Sequence, residues 1–207
     1  WRIDDVRLYD QSLTAANIKD LFLSEKAAQT VPVFDTLTGL VAHYPVEAAT
    51  DTNGFVTDLI TATAQTVVGA QLADGRGGAV DVNGSYSFDG VSNYINLGQG
   101  IANMGNGRFV VSFWANPDTR PGAGLVDIIG NREGNNTGSW WIGMNNSGNI
   151  VFGAGNATSN YSVTSTGNLD TDTNTWQQVI VDRNSSNGIH FYINGVEDAA
   201  SVTVAVG

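Results

Sequence analysis

The sequence has no cysteine, only four prolines, and just two lysines, Lys19 and Lys26, in 207 residues. The missing cysteines exclude a disulfide framework and fit a bacterial or archaeal surface protein better than a small animal secreted domain. Cations are scarce as well: the arginines are scattered singly and the formal net charge is -11. No basic stripe is available to follow a phosphate backbone or an anionic bilayer, which excludes nucleic acid and membrane surface as partners. No apolar run reaches the ~18 residues of a spanning helix, and no charged-then-apolar leader opens the chain. The first residue is Trp1 rather than Met, so the expectation is an excerpt from a longer or processed polypeptide.

What is present points to strands. Apolar residues make up 42% of the chain, charged residues only 14%, and Gly, Asn, Thr and Ser fill the stretches between apolar runs. That mixture suits many short strands joined by tight turns, and the length suits one large domain.

Residues 1–9 alternate as a strand, with Asp4, Val6 and Leu8 on one face and Ile3, Asp5, Arg7 and Tyr9 on the other. An acid on the apolar face is the odd member. A short helix follows, with Thr14 as its cap, Leu13 and Ile18 at hydrophobic-staple spacing, and Ile18, Leu21 and Phe22 as its apolar stripe. It is expected to end near Leu23 or Ser24, leaving residues 25–38 as a linker.

From Gly39 onward the pattern is strand and turn. Strands are expected over 40–44, 85–88, 94–97, 109–115, 125–130, 139–144, 149–152, 176–182, 189–193 and 201–206, while 57–73 reads as a polar loop with a Val67-Val68 fragment. Asn187-Gly188 supplies the left-handed conformations of a two-residue hairpin turn. About a dozen short strands at this spacing predict an all-β, two-sheet antiparallel sandwich with one short helix near the N-terminus.

Five segments carry a family resemblance. Leu40-Val41-Ala42-His43-Tyr44-Pro45, Tyr86-Ser87-Phe88-Asp89-Gly90 with Tyr94-Ile95, and Val111-Ser112-Phe113-Trp114-Ala115 stand in order. Trp176-Gln177-Gln178-Val179 with Ile189 to Gly195 follows, and Ile3-Asp4-Asp5-Val6-Arg7-Leu8-Tyr9 with Leu13 to Ile18 is the fifth. Together they resemble laminin-G-like, concanavalin A-like jelly-roll domains. In that family the last of these segments normally closes the domain, whereas here it comes first.

The resemblance therefore implies residues 1–24 as a closing strand and helix, 25–38 as a linker, and 39–207 as a sandwich lacking its last strand. A tandem array cut out of phase, a chain that closes its own sandwich, and strand donation between copies each satisfy this pattern, because each covers an otherwise bare sheet edge.

Concanavalin-like folds also host glycosidases, which need two carboxylates at fixed separation. Glu25, Glu47, Glu133 and Glu197 have no acidic partner two or four residues away, and His43 and His190 have no nucleophile or metal-type companion nearby in sequence. The expectation is no enzyme.

Calcium, which takes six to eight oxygens, suits the Asp- and Asn-rich turns better. The resemblance points to Asp58 and Asp4, with Asp5 and Asp89 as further ligands. Independently, an acid at Asp4 on an apolar face costs several kcal/mol unless a cation or backbone N–H groups compensate.

A glycan site needs an exposed aromatic plate beside amides and carboxylates. Trp140 alternates with Ile142 and Met144, so Trp141 is the expected exposed ring, with Asn135, Asn136, Asn145, Asn146 and Tyr161 around it. Trp114 and Trp176 are expected in the core.

The function these readings imply is a non-catalytic extracellular binding or adhesion module of a large, prokaryotic surface protein, taking glycans or other surface ligands and structural calcium. The alternative is a repeat of a self-assembling fibre or sheath joined by strand exchange. A glycoside hydrolase comes last.

Overall fold

Strand β8 (Phe109–Asn116) is buried along its whole length, as an apolar segment must be when it lies inside a sheet covered on both faces. The computed structural model describes residues 1–27, 38–46, 51, 54–76, 84–98, 107–131, 139–155, 160–171, 174–186, 188–198 and 202–203.

In chain order the elements before β8 are β1 (Arg2–Tyr9), α1 (Ala15–Ala27), β2 (Leu40–Tyr44), β3 (Phe55–Asp58), β4 (Thr63–Val68), β5 (Gln71–Asp74), β6 (Gly84–Ser87) and β7 (Tyr94–Asn96). After it come β9 (Leu125–Gly130), β10 (Ser139–Asn145), β11 (Asn149–Gly155), β12 (Asn160–Asn168), β13 (Gln177–Arg183), β14 (Gly188–Ile193), β15 (Val196–Glu197) and β16 (Val202–Thr203).

A nine-stranded sheet runs β15-β14-β13-β8-β1-β6-β5, with β16 on β14 and β2 on β1. A four-stranded sheet (β12-β11-β10-β9) and a three-stranded sheet (β3-β4-β7) complete the fold. Phe109, Val111, Phe113, Val179 and Phe191 from the large sheet meet Trp140, Ile142, Phe152, Val56 and Val67 from the smaller ones in one core. Phe109 sits between Trp140 and Phe152, with ring centroids 5.7 Å from each. The fold is an antiparallel β-sandwich consistent with a concanavalin A-like jelly roll, as expected.

The opening strand is central. β1 pairs antiparallel with β8 on one side, and on the other with β6 at Arg2 and Ile3 and with β2 from Val6 to Tyr9. It thus fills the interior of its own chain's sheet.

The outer face of the large sheet is covered by α1. Ile18 and Leu21 bury themselves on Tyr9, Val110, Ile180 and Tyr192, flanked by Leu13 and Leu40. At the helix start Thr14 Oγ1 accepts the N–H of Asn17 at 3.1 Å, the expected cap. The helix continues to Ala27, beyond the expected stop, so Glu25 belongs to α1 and not to a linker.

Two further expectations change. The segment read as a polar loop holds the second half of β3, all of β4 and most of β5, because strands with one face in water carry Thr and Gln on that face and lose the apolar signature. β12, rich in Ser and Thr, was missed for the same reason.

Candidate functional site

Among the described residues a dense group of charged side chains meets between β1 and α1. Against β8, Asp4 faces Trp114 and the next matched pair is Arg7 with Ser112, so two residues of β1 oppose one of β8. Asp5, with φ of 51°, takes the left-handed conformation that such a bulge requires. The partner on the other edge also changes here, from β6 to β2.

The bulge corrects the simple alternation. Ile3 and Val6 both pack against the inter-sheet core, and Asp4 and Asp5 both turn to the helix side, where both are buried. Asp4 is therefore not an acid stranded on the apolar face.

Arg76 reaches in from the end of β5. Its Nε donates to Asp4 Oδ2 at 2.8 Å, Nη2 to Asp5 Oδ2 at 3.0 Å and Nη1 to the Glu25 carbonyl at 3.2 Å. Its guanidinium lies 4.6 Å from the centre of the Trp114 ring, which stacks on Phe22 of α1 at 5.8 Å. Arg7, with no exposed side chain, donates from Nε and Nη2 to Asp5 at 3.1 and 3.3 Å and holds Glu25 Oε1 2.6 Å from Nη1. Nε2 of His43 donates to Asp5 Oδ1 at 2.8 Å. Glu25 Oε2 accepts from Trp114 Nε1 at 2.6 Å and from Gln178 Nε2 at 2.7 Å.

The two central acids respond oppositely. Burial alone would raise Asp5, but Arg7, the His43 hydrogen bond and charge, and Arg76 outweigh it and hold the carboxyl well below the usual range. Burial first and the Asp5 charge second push Glu25 up to about 7, against the pull of Arg7, the Trp114 hydrogen bond and Arg76.

Chemically this is a sealed polar joint. The Asp5 and Glu25 side chains are 3% and 0% exposed, and one arginine bonds both. A glycosidase pair needs sugar and water between its carboxyls.

The other sequence candidates do not gather into a second site, although Asp58 meets the cluster through His43, which bonds both it and Asp5. Asp58, fully buried, accepts the N–H groups of His43 and Ile60 at 2.9 and 3.0 Å and the hydroxyl of Thr61 at 2.6 Å. Asp89 caps its own exposed turn, accepting N–H groups from Val91, Ser92 and Asn93, which lower it to about 2.

Trp141 is not an exposed plate: it is 6% accessible, and its ring lies so close over Gly153 on the neighbouring strand that a Cβ there would collide with it. Tyr161, half-buried, packs on Phe152 at the margin of the core, centroids 6.4 Å apart. Asn145 Oδ1 accepts the N–H groups of Ser147 and Asn149, holding the β10–β11 turn. Asn135 and Asn136 lie outside the described residues. Trp114 is buried, though beneath α1 and not between the sheets, while Trp176 is only half-buried, with the Arg2 guanidinium 5.5 Å from its ring centre.

Sequence reading also missed the exposed aromatic surface. In the three-stranded sheet Val56 and Val67 point into the core, so Phe55, Thr66, Val68, Tyr94 and Asn96 point outward. Phe55 and Tyr94 are 53% and 54% exposed. The signal available was the inward pair Val56 and Val67, whose neighbours must face water.

Residues 89–206 match the model of a laminin-G family described as the concanavalin A-like lectin/glucanases superfamily. The chain belongs to this family. No curated protein matches the sequence. The lectin/glucanase match begins at Asp89, and the strand that closes the large sheet, β1, lies outside it and joins it through β8.

Calcium is the metal this laminin-G resemblance implies, and the four acids do not fit it as a set. A cation at Asp4 or Asp5 would sit against Arg76 and Arg7, while Asp58 already serves the N–H groups of His43 and Ile60 and Asp89 those of its own turn. Among the described residues no three His, Asp or Glu side chains converge to hold a metal.

Proposed function

We propose that the chain is a non-catalytic binding module of a cell-surface protein, retaining neutral glycans without cutting them. The family covers both lectins and glucanases, so the choice is between holding and hydrolysing a sugar. One observation carries the choice: Asp4, Asp5 and Glu25, the acids gathered between β1 and α1, are buried and held by Arg7, Arg76, His43, Trp114 and Gln178. Acids spent on an internal joint fix a helix to a sheet and give rigidity to whatever surface the sandwich presents. The cysteine-free, acidic composition supports a prokaryotic surface location.

Affinity electrophoresis through gels containing dissolved polysaccharides tests this reading. Retardation by a neutral polysaccharide without release of reducing ends is expected. Release of reducing ends abolished by Glu25→Gln would overturn it.

A further inference from the structure

The outer face of the three-stranded sheet differs from the rest of a strongly acidic protein. Its seven outward positions, two on β3, three on β4 and two on β7, carry no ionisable group except the Tyr94 phenol, while the chain carries a net charge of -11. Phe55, Thr66 and Asn96 form one row across the three strands, and Val68 and Tyr94 form the next. Facing side chains in such rows lie ~5 Å apart, and β3 and β7 are separated by ~10 Å. Two exposed rings thus stand further apart than one sugar ring is wide, with a threonine hydroxyl and an asparagine amide between and beside them.

We infer that this face is the binding platform for a neutral oligosaccharide, which rests on the binding-module reading above. Pyranose rings present C–H faces that lie on aromatic plates, and hydroxyls that pair with Thr and Asn. Anionic glycans meet repulsion from the surrounding acidic protein. A cationic partner finds no carboxylate on the face itself. A second copy of the chain is a poor occupant too, because seven outward residues fall short of the ~20–30 residues a side of a stable protein interface.

The test is a printed array of neutral glucan, mannan, xylan and galactan oligosaccharides beside sulfated and sialylated ones, probed with the chain and with Phe55→Ala, Tyr94→Ala and, as control, Val196→Ala. Val196 is exposed on β15, in the other sheet. The expected result is binding to neutral spots that falls about tenfold or more in Phe55→Ala and Tyr94→Ala and is unchanged in Val196→Ala. Thr66→Lys, which puts a charge at the centre of the face, gives the same loss if a ring truncation perturbs folding.

Neutral binding untouched by all three face variants overturns the platform and leaves the binding-module reading standing. Binding confined to sulfated or sialylated spots, or self-association lost in Phe55→Ala, also overturns it. Silence on every spot overturns both.

Discussion

Nη1 of Arg7, in the central strand of the large sheet, lies 2.6 Å from Oε1 of Glu25 in the last turns of α1, and neither side chain has any exposed surface. This pair joins the strand that closes the sheet to the helix that covers it. Arg7→Met keeps the bulk of the stem but leaves Asp5 and Glu25 buried without their shared cation. The expected cost is about 3–5 kcal/mol, a fall of roughly 10 °C in the melting temperature of a domain this size. A fall of only a degree or two, measured by circular dichroism, would show that the pair holds nothing.

Stability should depend on pH in two opposite ways. Asp5 is held below its ordinary value of 3.8, so its contribution is present above that pH and is lost as pH falls further. Glu25 rises from 4.5 to about 7, as does Asp182 from 3.8 to about 7 through burial. Their contribution is complete at acid pH and is lost as pH rises through about 7. The melting temperature is therefore expected to decline between pH 5 and pH 8, and Glu25→Gln to flatten that decline. Parallel slopes for wild type and variant would contradict the assignment.

Gly153→Ala is expected to destabilise the four-stranded sheet by about 1–3 kcal/mol, because the new methyl collides with the Trp141 ring. In a Trp141→Ala background the same change should cost far less. Equal costs in the two backgrounds, from denaturant melts, would show that the ring does not lie on Gly153.

The architecture was legible in the sequence where the signals are local and apolar. Phe109 to Ala115, the Thr14 cap and the Leu13 and Ile18 staple all read correctly, because alternation and capping need only neighbouring residues. The β1 bulge was not legible: it falls where the partner strand on the other edge changes from β6 to β2, which no local pattern encodes. Glu25 was lost to a supposed linker although Ile18, Leu21 and Glu25 continue one helical stripe, since an acid in such a stripe makes sense only opposite a buried arginine. The exposed Phe55 and Tyr94 were hidden because β3 and β4 looked like loop.

Calcium and chelator should leave the melting curve unchanged, because Asp4, Asp5, Asp58 and Asp89 already face protein donors. A metal bound only by the folded state raises the melting temperature by mass action, so a rise of several degrees in millimolar calcium would refute this.

The most direct test of the central claim is one assay that reads retention and cleavage together: the chain is incubated with neutral oligosaccharides, and bound sugar and newly released reducing ends are measured on the same sample. The account predicts bound sugar, no released ends, and retained binding in Glu25→Gln. Released ends that disappear in Glu25→Gln or Asp5→Asn would contradict it, because the acids beneath α1 would then be acting on substrate.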